Sequence, residues 1–125
     1  VLALTITTWV LSGILAFMFL MAGGMKLAKP HADLPMPTLQ VLSPGRVKFI
    51  GAAEVLGALG VILPPLFGAA PLLAPLAAIG LAIIQVLAVP AHRRLNEPFI
   101  MNILLAVLAL AVAVLSALAF GGVRL

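Results

Sequence analysis

The chain contains no cysteine. That absence removes a disulfide framework, a thiolate nucleophile, a thiolate metal site and a thiol–disulfide relay from its own chemistry. Any redox role would therefore use a bound cofactor or a partner. Charge is also scarce: 8% of the 125 residues are Asp, Glu, Lys or Arg, where soluble domains carry about 25%. With 65% hydrophobic residues and a mean hydropathy of +1.35, no polar shell is left for a soluble enzyme, a DNA-binding module or a disordered tail. The net charge of +4 does not point to nucleic acid. Its seven Lys and Arg residues form no run longer than Arg93-Arg94 and have no aromatic interleaving. A small integral membrane protein of one domain remains, with the lipid bilayer as its first partner.

A helix that crosses a bilayer needs about 20 mostly apolar residues, and four such stretches are present. They cover residues 3–25, 44–63, 72–89 and 98–120. The first closes at Lys26. The second opens on Ser43-Pro44, an N-cap residue followed by proline in the first turn, and is expected to stop before Pro64-Pro65. The third lies between Pro71 and Pro90. The fourth ends where Gly121-Gly122 supplies a C-terminal stop. The first stretch lacks a basic leading region and is longer than the apolar run of a signal peptide, so it reads as a retained span. The expected fold is all-α, an antiparallel four-helix bundle.

The connections differ in character. Residues 27–43 hold Pro30, Pro35 and Pro37, which exclude a long helix; their 36–42 portion either lies at the interface or re-enters the membrane. Residues 64–71 form an uncharged turn and residues 91–97 a short charged one. Lys26, Lys29, Arg46, Lys48, Arg93 and Arg94 fall on one side, against Arg124 on the other. The positive-inside rule makes the 27–43 and 91–97 connections cytoplasmic and puts both termini outside, with Trp9 near the outer interface.

Helices in lipid associate through close packing of small residues and a few interhelical hydrogen bonds. Thr8, Ser12, Ala16, Phe19 and Gly23 form such a stripe in the first span. Ala53, Gly57 and Gly60, beside Gly51, Glu54 and Ala58, form the second. Ala78, Ala82 and Gln85 serve in the third, and Asn102, Ala106, Ala109, Ala113 and Ser116 in the fourth. An exposed stripe would also permit a homo-oligomer.

An ionisable group inside a span costs roughly 2.5–3.5 kcal/mol on insertion scales and normally faces the bundle interior with a partner. Glu54 is the clear case. It lies six residues beyond Lys48, about 9 Å deeper along a helix, too far for a short carboxylate to reach water easily. Lys26, Gln85, His92 and Asn102 lie toward the same end of the bundle, so a polar constellation around Glu54 is expected, with Arg93 and Arg94 at its mouth or against lipid headgroups. Three readings fit: a structural ion pair with Gln85 and Asn102 as interhelical glue, a pocket for a quinone-like, lipid-like or small polar ligand, and a proton or ion pathway. No second intramembrane acid supports the last. His31, in the proline-rich connection, reads as solvated.

Neither His31 nor His92 lies mid-span, so a haem held by two facing histidines is not expected. The five methionines read as packing residues rather than a copper site. No nucleotide loop, metal triad or Ser-His-Asp order is visible. No metal is expected, and an enzyme acting alone is disfavoured because no catalytic constellation can be assembled.

The run Gly23-Gly24-Met25-Lys26-Leu27, the run from Ile50 through Glu54 to Gly57, and the run from Pro75 to Ala82 together resemble the DoxX-like family of small four-helix bacterial membrane proteins. The segment from Ala91 to Glu97, followed by Asn102, strengthens the resemblance. It implies a multi-pass protein of the bacterial plasma membrane. DoxX and DoxD relatives are linked to membrane oxidoreductase systems, including a thiosulfate:quinone oxidoreductase and a complex of oxidative-stress defence. The familial Lys and Glu map onto Lys26 and Glu54, and the familial His-x-Arg region onto His92 to Arg94. Gln85 departs from the apolar or methionine residue expected at its place. The resemblance implies an accessory subunit with an oxidoreductase partner and a quinone as the candidate cofactor. A small-solute transporter and a purely structural assembly factor are the competing expectations.

Overall fold

The structure is a computed structural model that describes residues 1–34 and 36–120. Pro35, Gly121-Gly122 and Arg124, each used in the sequence argument, lie outside the described residues. Four helices among those described are long and apolar enough to cross a membrane: α1 (Leu2–Ala28), α3 (Pro44–Phe67), α4 (Leu73–Arg94) and α5 (Ile100–Ala119). A short helix, α2 (Pro37–Val41), and a 3-10 turn at His31–Asp33 occupy the first connection.

The helix ends follow from local chemistry. Lys29 precedes Pro30 and is forced into extended backbone (φ −81°, ψ 143°), which stops α1. Ser43 caps α3 by accepting a hydrogen bond on Oγ from the Arg46 amide at 3.3 Å, and Pro44 fills the first helical position. At its other end α3 does not stop before Pro64-Pro65 but runs through both to Phe67. The two prolines forfeit only hydrogen bonds to carbonyls one turn earlier, and their own carbonyls are then used. The Ala69 N–H donates to Pro64 at 2.9 Å and the Gly68 N–H to Pro65 at 3.3 Å, with Gly68 left-handed at φ +66°. This is the Schellman pattern.

α4 likewise continues past Pro90 to Arg94. It closes with the same pattern, built on Asn96 at φ +56°. The Glu97 N–H donates to the His92 carbonyl at 2.9 Å and the Asn96 N–H to that of Arg93 at 3.2 Å. Asparagine tolerates this conformation better than most residues.

Consecutive spans are neighbours, and the ring runs α1, α3, α4, α5, with α5 returning to α1 through the thinnest contact. The bundle is antiparallel. Its core contains Leu15, Phe19, Ala58, Leu81, Ala109 and Val112. Large side chains such as Phe17, Leu56, Leu87 and Val107 point outward, as expected when the surroundings are hydrocarbon. The α1 stripe from Thr8 to Gly23 is buried, and so are Ala78, Ala82 and Gln85 of α4 and Ala106, Ala109, Ala113 and Ser116 of α5. In α3 the buried face is Gly51, Glu54, Ala58 and Val61, while Ala53, Gly57 and Gly60 stand half-buried beside it.

Two glycines let α1 and α3 meet backbone to backbone. A Cβ on Gly23 would lie 2.6 Å from the Gly51 carbonyl oxygen, and one on Gly51 would lie 2.9 Å from the Gly23 carbonyl oxygen and 2.8 Å from Lys26 Cβ. Gly57 and Gly60 similarly admit Leu81 and Ala77 of α4. The first connection packs against the ends of α1 and α3, where Leu34, Leu39 and Val47 form a satellite cluster with Met25 and Leu42. It therefore caps the bundle end rather than re-entering.

Candidate functional site

At the close antiparallel crossing Lys26 packs against Gly51 and Glu54 against Gly23, so the lysine backbone lies nearer the end of the bundle and its long side chain reaches inward to the acid. Lys26 Nζ donates to Glu54 Oε1 at 2.7 Å. The side chain of Glu54 is 2% exposed and that of Lys26 12%. The ammonium thus holds the buried acid from the end of the bundle nearest the charged connections.

The second carboxylate oxygen faces α4. Gln85 Nε2 donates to Glu54 Oε2 at 3.5 Å, a long contact. From α5, Asn102 Nδ2 donates to Gln85 Oε1 at 2.9 Å. Lys26, Glu54, Gln85 and Asn102 therefore form one continuous chain of polar contacts with a member on each of the four long helices. The amide of Gln85 is suited to the middle place because it accepts on one side and donates on the other. An apolar residue there would sever α5 from the acid.

The other three anticipated residues stand elsewhere. His92, buried at the end of α4, pairs through Nδ1 with Glu97 Oε2. Glu97 was visible in the sequence only as part of a charged turn. The left-handed Asn96 folds the chain back and brings the carboxylate to the imidazole. Arg93 lies over the Phe99 ring at 5.9 Å, within cation–π range, and Arg94 is exposed. His31 differs from the solvated residue expected. It is half-buried, and its Nε2 meets the Leu42 carbonyl at 2.6 Å, tying the two ends of the connection together. Gln40 adds bonds to the carbonyls of Ala32 and Leu34. Nothing in their sequence spacing signals these clamps.

Among the described residues no group of three or more His, Asp or Glu side chains is arranged to hold a metal ion. Chemically, the chain from Lys26 to Asn102 offers one carboxylate surrounded by N–H donors in a low-dielectric setting. It can hold an acceptor in place, and it fastens four helices at one depth.

The family model of the DoxX-like family matches residues 10–116. The chain belongs to the DoxX-like family. The match spans parts of all four long helices and includes Lys26, Glu54, Gln85 and Asn102. No curated protein and no solved structure matches the chain. This DoxX-like protein is thus a multi-pass membrane protein, with the polar chain from Lys26 to Asn102 toward one end of the bundle.

Proposed function

We propose that this DoxX-like protein is an accessory, ligand-binding subunit of a membrane redox system, and that the polar chain centred on Glu54 receives the head of a quinone-like or lipid ligand at the inner leaflet. One observation carries the reading: a single buried carboxylate is met by N–H donors from two other helices, Lys26 and Gln85, and Asn102 of the fourth helix holds Gln85 in place. The two donors are not spent by doing so. Lys26 uses one of three N–H bonds on Glu54, and the Gln85 contact, at 3.5 Å, is loose enough to be exchanged. A ligand carbonyl or phosphate oxygen reaching this level would find donors already desolvated, where a hydrogen bond is worth more than in water. The resemblance to relatives linked to membrane oxidoreductases supplies the redox context. The basic connections, by the positive-inside rule, support a cytoplasmic place for this end and an outside one for the termini.

Purification in mild detergent, with mass spectrometry of retained small molecules and companion proteins, tests the reading. The expected result is a quinone or lipid, together with an oxidoreductase partner, retained by the native chain and depleted by Glu54→Gln. If Glu54→Gln left both ligand and partner unchanged, the proposed pocket would be refuted.

A further inference from the structure

Beyond the polar chain, the end of the bundle where α1 stops and α3 begins holds a second feature. A shallow pocket there is lined by Lys26, Lys29, His31 and Lys48, with Leu34 and Val47 among its apolar walls. None of its lining residues is acidic, and Asp33 of the neighbouring 3-10 turn does not reach it. Glu54 pairs with Lys26 alone and is not among the lining residues, so Lys29 and Lys48 have no carboxylate in the pocket to neutralise them.

Their donors are only partly used. Lys48 Nζ gives one N–H to the Leu27 carbonyl at 3.2 Å, which fixes its ammonium beside the end of α1. His31 is held by Leu42, so the pocket wall is set by hydrogen bonds rather than by loose side chains. The amino-terminal turn of α3 abuts the same place through Pro44 and Val47, and the positive end of its helix dipole adds to the potential.

We infer that the lysines rimming this shallow depression bind the phosphate of an anionic phospholipid in the leaflet at the Lys26 end. The lipid source follows from position. The pocket sits at the mouth of two membrane spans, with apolar side chains in its wall and the hydrocarbon-facing surfaces of α1 and α3 directly below, where acyl chains would lie. Juxtamembrane lysines attract anionic headgroups in this way. The inference does not rest on the ligand proposed at Glu54, since only Lys26 is shared.

The test uses the full chain reconstituted in vesicles of equal parts phosphatidylglycerol and phosphatidylcholine, extracted in mild detergent, with the retained lipid identified by native mass spectrometry. The native chain should retain phosphatidylglycerol preferentially. Lys29→Gln with Lys48→Gln should lower that preference roughly thirtyfold, and Lys29→Arg with Lys48→Arg should keep it. Arg93→Gln with Arg94→Gln removes the same charge from the same end and should change it far less. Equal losses from the lysine and arginine pairs would overturn the inference, because diffuse surface charge would then be enough. So would inorganic phosphate displacing the retained lipid at millimolar concentration, which would mark a site for a soluble anion.

Discussion

Gly23 and Gly24 are adjacent in the sequence and should respond oppositely to the same substitution. A methyl group on Gly24 meets nothing within 4 Å, whereas one on Gly23 would stand 2.6 Å from the Gly51 carbonyl oxygen, 2.8 Å from Val55 Cγ2 and 3.1 Å from Glu54 Cβ. Both changes gain the helix preference of alanine over glycine, about 1 kcal/mol in water, so this gain cancels when the two variants are compared. What remains is the clash. The obstructing atom is backbone and cannot rotate aside, so α1 and α3 must separate by roughly 0.8 Å to restore an ordinary contact. Overpacking of this kind costs about 1–3 kcal/mol. A separation of that size in the direction of the ion pair would also carry the 2.7 Å Lys26–Glu54 bond beyond the usual N–H···O range of about 3.2 Å.

Gly23→Ala should therefore be about 1–3 kcal/mol less stable than Gly24→Ala. Equilibrium unfolding in mixed mild-detergent and dodecyl sulfate micelles, followed by helical circular dichroism, would measure the difference. If the two variants unfolded together, or Gly23→Ala were the more stable, the backbone crossing and the argument for how the ion pair is positioned would both be wrong.

Lys26→Met strands a buried carboxylate and should destabilise the bundle by about 3–5 kcal/mol; adding Glu54→Met should recover much of that loss, as a double-mutant cycle would show. Gln85→Leu removes both of the glutamine's links and should lower unfolding stability by about 1–3 kcal/mol. Asn102→Leu removes one interhelical bond and should cost nearer 0.6 kcal/mol, so a larger loss at Asn102 would contradict the order of the chain. Gly68→Ala forces a Cβ into left-handed backbone and should cost about 1–2 kcal/mol in the same unfolding assay, with Gly68→Asn closer to the native chain.

Much of this architecture is legible in the sequence because hydrocarbon imposes few solutions. Runs of apolar residues long enough to cross, broken by charge and proline, define the four long helices. Glu54 stands out because a carboxylate so far from the interface requires a partner, and Lys26 closes the neighbouring span. Proline misleads about the helix ends. Pro64, Pro65 and Pro90 read as stops, yet each removes only a single donor near an end, and the Schellman hydrogen bonds that close the helix form beyond it. The partner of His92 is hidden for a related reason. Glu97 reaches it only because Asn96 adopts positive φ, a choice of backbone that composition does not announce. His31 is clamped by a carbonyl eleven positions away, and backbone carbonyls carry no sequence signature.

The ring of polar contacts from α1 through α3 and α4 to α5 is open, since Asn102 does not reach back to Lys26's helix. At the opposite end of the molecule that gap is bridged: the rings of Trp9 and Phe120 sit 5.2 Å apart, joining α1 to the close of α5. The bundle is thus buttoned by polar side chains along three seams, while the fourth is held by core packing and by this ring contact at its far end. Should the helices part, the weakest line runs between α1 and α5, where no polar contact closes the Lys26 end. A hydrophobic molecule already dissolved in the membrane could then slip sideways toward the acid without ever crossing water.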